Sequence, residues 1–106
     1  MKQGDIVWLK FPFSNLTQQK LRPAVVLSND RYNKYANVLL AGIYGKKQPL
    51  SMQITNRDLE QKQMQKTSYI SFQNIMSVEK TLIGQRIDSL NAQKLQQVLR
   101  ALQHYC

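Results

Sequence analysis

The sequence predicts a mainly β fold: a small β-barrel of short strands with one α-helix packed on it at the C-terminal end. Two observations carry this. Short apolar, β-branched runs recur along most of the chain, each bounded by turn residues, which is the spacing of small barrels. After Asn91 the pattern changes. Leu95, Val98, Leu99 and Leu102 fall at i, i+3, i+4 and i+7, one face of a helix, with Lys94, Gln96, Gln97, Arg100 and Gln103 on the other. At 106 residues and 42% apolar content the chain has material for one modest core, so residues 1–106 read as a single domain.

Residues 5–11 open the fold as a strand. Ile6, Trp8 and Lys10 point one way, Val7, Leu9 and Phe11 the other. Trp8 reads as a large core or interface residue; on a binding face it would serve base stacking. Pro12 to Leu21 is a polar loop without an acid, carrying Ser14, Asn15, Thr17, Gln18, Gln19 and Lys20. It is either a solvated connection or a segment that wraps phosphates and base edges. Ala24 to Leu27 is a buried strand closed by a turn at Asn29-Asp30. Pro23 fixes its own φ and pushes Arg22 towards an extended backbone. Arg22 then stands at the mouth of a core strand, as an ordinary surface cation or as one held ready for an anionic ligand.

Arg31 to Asn37 is a polar connector, and Val38 to Ile43 a second buried strand. Gly42 within it marks a bulge or a close approach of backbone. Tyr44-Gly45-Lys46-Lys47-Gln48-Pro49 is a loop, either an ordinary hairpin tip or a grip for a phosphodiester with a base stacked on the ring. Leu50 to Thr55 returns as a short strand. Asn56 to Thr67 is a loop with one helical turn near Arg57 to Gln61. Ser68 to Phe72 is a strand that Gln73 to Val78 extends past a kink. Glu79-Lys80 turns the chain into a last strand, Leu82 to Ile87, broken by Gly84. Asn91 is a suitable helix N-cap.

Fifteen basic side chains against six acidic ones give a net charge of +9. Eight of the basic and two of the acidic residues lie in the first fifty positions. Such an excess favours an anionic partner, nucleic acid foremost. No apolar run approaches the roughly 20 residues that span a bilayer. Asp5 and Lys10 interrupt any signal-peptide core, so the expected location is the cytoplasm.

Metal ligation finds no support in the sequence: there is one histidine and one cysteine, His104 and Cys106, and the carboxylates are scattered. A Gly-rich phosphate loop is missing, as is a plausible Ser/His/Asp set. Arginine, hydroxyls and backbone amides remain. That inventory suits RNA cleavage, in which the RNA's 2′-hydroxyl is the nucleophile and a fixed cation stabilises the phosphorane.

Gly4-Asp5-Ile6-Val7, then Phe11-Pro12-Phe13, a polar loop, and Arg22-Pro23-Ala24-Val25-Val26-Leu27-Ser28 resemble the MazF/PemK family of type II toxin–antitoxin toxins. The similarity covers nearly the whole chain. It implies an SH3-like, CcdB-like barrel and a homodimer. It implies a metal-independent endoribonuclease without cofactors, which cuts single-stranded RNA to a 2′,3′-cyclic phosphate and a 5′-hydroxyl and is inhibited by an acidic antitoxin. The family's catalytic arginine falls on Arg22. Its threonine or serine at the end of the next strand falls on Tyr44, whose hydroxyl stands further from the backbone. A displacement of about 1 Å can cost roughly 100-fold in rate. Tyr44 is thus an adapted catalytic group, a base-stacking residue or a mark of lost activity, with Ser51 and Thr17 as other hydroxyl sources. Thr17, Gln18, Gln19, Lys20, Lys46, Lys47, Gln73 and Asn74 are the expected RNA-binding residues. Two other readings follow from the same resemblance: a degenerate member that binds RNA or antitoxin without cutting, and a CcdB-like gyrase inhibitor.

Overall fold

The computed structural model describes residues 1–12 and 19–106. Among the described residues six strands form one antiparallel sheet: β1 (Asp5–Pro12), β2 (Gln19–Val26), β3 (Asn37–Tyr44), β4 (Ser51–Ile54), β5 (Ser68–Glu79) and β6 (Ile83–Ser89). One helix follows, α1 (Ala92–Tyr105), and three 3₁₀ turns lie at Tyr32–Lys34, Asn56–Asp58 and Lys80–Leu82. The spatial order is β4-β5-β3-β2-β1-β6. The fold is mainly β with a C-terminal helix, as expected. The barrel does not close as a ladder, however, and β4 and β6 are the two edges of the sheet.

Both faces of the sheet are covered, which explains why the central strands read as continuous apolar runs. On one face Ile6, Val25, Ala41, Ile43 and Ile70 pack with Val98 of α1, and Leu95 and Leu102 add to them. On the other, Val7, Leu9, Ala24, Val26, Val38 and Leu40 form a second cluster, flanked by Met76, Leu82 and Ile83. Each large side chain fully buried in this way contributes about 1.5–3 kcal/mol relative to exposure. The helix starts where the sequence places it: the Asn91 side chain accepts from the Lys94 N–H at 2.8 Å. Among the described residues no helix is long and apolar enough to cross a membrane.

Three local expectations are corrected. β2 begins at Gln19, so Arg22 lies inside a paired strand, opposite Leu9, and not at its mouth. Pairing with β1 extends the strand back through residues whose own composition is that of a loop. Pro23 is tolerated because pairing with β3 begins only at Ala24, leaving β2 up to Pro23 with β1 as its partner. Next, Lys46 and Lys47 do not cap a hairpin: β5 lies between β3 and β4, so residues 45–50 cross over to a strand that is not β3's neighbour. Finally, the helical turn after β4 is a 3₁₀ turn at Asn56–Asp58, set earlier by a capping box between Thr55 and Asp58.

The long connection from β4 to β5 is fastened by a residue whose importance the sequence does not advertise. Asp88, with no accessible surface, accepts the backbone N–H of Gln61 at 2.9 Å, of Gln63 at 2.8 Å and of Ser89 at 2.7 Å. Lys62, between the first two, has a φ of 55°, and this left-handed step turns both flanking amides onto one carboxylate.

Candidate active site

Arg22 sits on β2 two residues before Ala24, on the face of the second core cluster, and is half-buried. Among the described residues it forms no ion pair. The β2–β3 register runs Val26 to Leu40, Val25 to Ala41 and Ala24 to Gly42. Arg22 and Tyr44 lie two residues beyond the last of these pairs, each on its own strand, with the same side-chain alternation as Ala24 and Gly42. Gly42 and Tyr44 therefore share the Arg22 face of the sheet.

The phenol does not reach outward from the end of β3. A Cβ built on Gly42 would stand 3.2 Å from Tyr44 Cε2 and 3.3 Å from Tyr44 Oη. The ring thus folds back along its own strand, and its hydroxyl lies over Gly42. The third strand of the group is β5. Its pairing with β3 shifts register between Ala41 and Ile43, so that Ile75 is opposite Ala41 and Ile70 opposite Ile43. The bulge at residues 71–74 is the kink that the sequence suggests, and it delivers Asn74 above Gly42. Asn74 Nδ2 donates to Tyr44 Oη.

Arg22, Tyr44 and Asn74 therefore stand on three adjacent strands, on one face, at the margin of a core cluster. The other expected residues are spread around them. Lys46 and Lys47 are exposed just beyond Tyr44. Gln73 is exposed, within the bulge and one residue before Asn74. Gln19 and Lys20 lie at the start of β2, opposite Pro12 and Phe11. Thr17 and Gln18 fall outside the described residues. Ser51 is on β4, with β5 and β3 between it and β2, and its hydroxyl donates to the Gln48 carbonyl at 2.6 Å. It is not brought to Arg22. The Asn74–Tyr44 bond is the part of the group that no local pattern reveals, since it spans 30 residues and depends on the bulge.

A half-buried arginine, a hydroxyl held by an amide and a net charge of +9 define a small basic β protein suited to a phosphate-bearing ligand. The chain belongs to the family of PemK-like, MazF-like toxins of type II toxin–antitoxin systems, which it matches over residues 2–106. Its fold is also that of solved toxins. It is similar to the MazE–MazF complex of Deinococcus radiodurans (TM-score 0.78, 17% identity, 99% of this chain and 94% of that one). It is similar to the Mycobacterium tuberculosis toxin MazF-mt6 (TM-score 0.74, 16% identity, 94% and 93%). A third likeness is to an endoribonuclease in complex with its cognate antitoxin from a mycobacterial species (TM-score 0.76, 15% identity, 98% and 90%).

Proposed function

We propose that this single-domain toxin is a metal-independent endoribonuclease of single-stranded RNA, messenger RNA included. It acts in the cytoplasm as a homodimer and is silenced by an acidic antitoxin segment laid on its basic surface. The observation that carries the reading is the placement of Arg22 and the Tyr44 hydroxyl on one face of adjacent strands in a basic chain of this family.

The reaction needs no nucleophile from the protein. The RNA 2′-oxygen attacks the adjacent phosphorus and loses its proton to solvent. The bond from phosphorus to O5′ breaks, leaving a 2′,3′-cyclic phosphate and a 5′-hydroxyl. Arg22 stabilises the additional negative charge of the phosphorane, and its half-buried setting makes that charge more effective than in water. Tyr44 gives its phenolic proton to the departing O5′ and recovers one from water. Lys46 and Lys47 hold flanking phosphates. DNA, lacking the 2′-hydroxyl, is not cut.

The test is incubation of purified protein with mixed-sequence single-stranded RNA in EDTA, beside Arg22→Ala, with product ends determined. Wild type should cut and leave cyclic phosphate, while Arg22→Ala, equally folded by circular dichroism, should lose at least about 100-fold in rate. Full activity in Arg22→Ala would sink the mechanism. Absence of cleavage with RNA still bound would identify a binder instead.

A further inference from the structure

Tyr44 and Asn74 form a unit with Gly42 as its floor. A Cβ at residue 42 would stand 3.0 Å from Asn74 Nδ2, as well as against the Tyr44 ring and hydroxyl. Both side chains are half-buried, so the pair is held by packing as well as by its hydrogen bond. A hydroxyl oxygen that accepts an N–H keeps its own proton for a different acceptor. Asn74 approaches from β5, and β2 with Arg22 lies on the opposite side of β3.

We infer that Asn74 is a positioning residue. It pins Tyr44 Oη above Gly42 and turns the phenolic proton away from β5, towards the side of Arg22. Tyr44 is thereby set to give a proton to an anionic substrate, and Asn74 works through Tyr44 instead of gripping RNA itself. The inference rests on the ribonuclease reading for its consequence, though not for its geometry.

The experiment compares wild type, Asn74→Ala, Tyr44→Phe and the double variant on an RNA oligonucleotide. A matched oligonucleotide carries sulfur in place of the scissile O5′, a leaving group that needs no proton. Asn74→Ala should lower kcat by about 10-fold or more with KM within about twofold. The double variant should be no slower than Tyr44→Phe, and both defects should largely vanish on the sulfur substrate. Gly42→Ala should follow the pattern of Asn74→Ala, because its methyl group displaces the same pair. Independent losses, or a loss in KM alone, mean that Asn74 holds RNA directly, and the inference falls. A second readout needs no cleavage: the Asn74 side-chain amide proton in isotope-labelled protein, by NMR. Its signal should move in Tyr44→Phe. An unmoved signal overturns the inference whatever the activity. A moved signal in a protein that cuts no RNA would uphold the positioning and strike down the ribonuclease reading alone.

Discussion

Asp88 has no accessible surface, yet its carboxyl is held below its ordinary value of 3.8. Burial by itself acts the other way and raises it. The backbone N–H bonds from Gln63, Gln61 and Ser89, with the charge of Arg86, outweigh burial. A carboxylate whose folded value is depressed contributes stability that is present above 3.8 and lost as pH falls through the folded value. Asp88→Asn places an amide donor among three donors. It should cost about 1–3 kcal/mol in urea unfolding at neutral pH. The gap to wild type should be full above the ordinary value and narrow below it. A gap that stays constant into strong acid would show that the charge is not what holds residues 61–63.

At the level of elements, α1 depends on its first turn. Asn91 accepts from Lys94 N–H and also donates to the Arg57 carbonyl at 3.2 Å, tying the helix start to the 3₁₀ turn after β4. Asn91→Ala should therefore cost about 1 kcal/mol, towards 2 if the second bond matters, measured by thermal unfolding. This element was legible because a cap and a 3.6-residue stripe are local signals. So were β1 and β3; Gly84, read as a break, lies instead inside β6, where a Cβ would meet the Trp8 carbonyl at 3.3 Å. What was not legible came from partners distant in sequence. Gln19 to Leu21 look like loop and become strand because β1 supplies hydrogen bonds. Ser51–Ile54 reads as the return arm of a hairpin, yet β5 takes that place beside β3. Arg22 and Tyr44 were readable as candidates, but only the strand order and the register show that they share one face, and only the fold-back over Gly42 shows where the phenol lies.

Taken whole, the molecule carries more charge than its described ion pairing absorbs. Among the described residues the ion pair is Lys94 Nζ to Asp58 Oδ2 at 3.8 Å, so most of the cationic excess faces solvent. Binding to single-stranded RNA should weaken linearly in the logarithm of salt concentration. Replacing both Lys46 and Lys47 by alanine should reduce the magnitude of that slope by about 1.4, the release of two counterions fewer. An unchanged slope in titrations from low to high salt would remove these lysines from the phosphate path.

The ladder between β1 and β6 sets Asp5 opposite Ser89, and the Ser89 hydroxyl donates to the Asp5 carboxylate across 84 positions of sequence. For a chain emerging from a ribosome, β1 is made well before its outer neighbour β6. Contacts so distant in sequence form late, because a long loop must be closed before they repay it. Until then β1 keeps an open edge, and the sheet that aligns β2, β3 and β5 lacks one flank. The sheet that aligns Arg22, Tyr44 and Asn74 therefore gains its last flank only once β6 has been made.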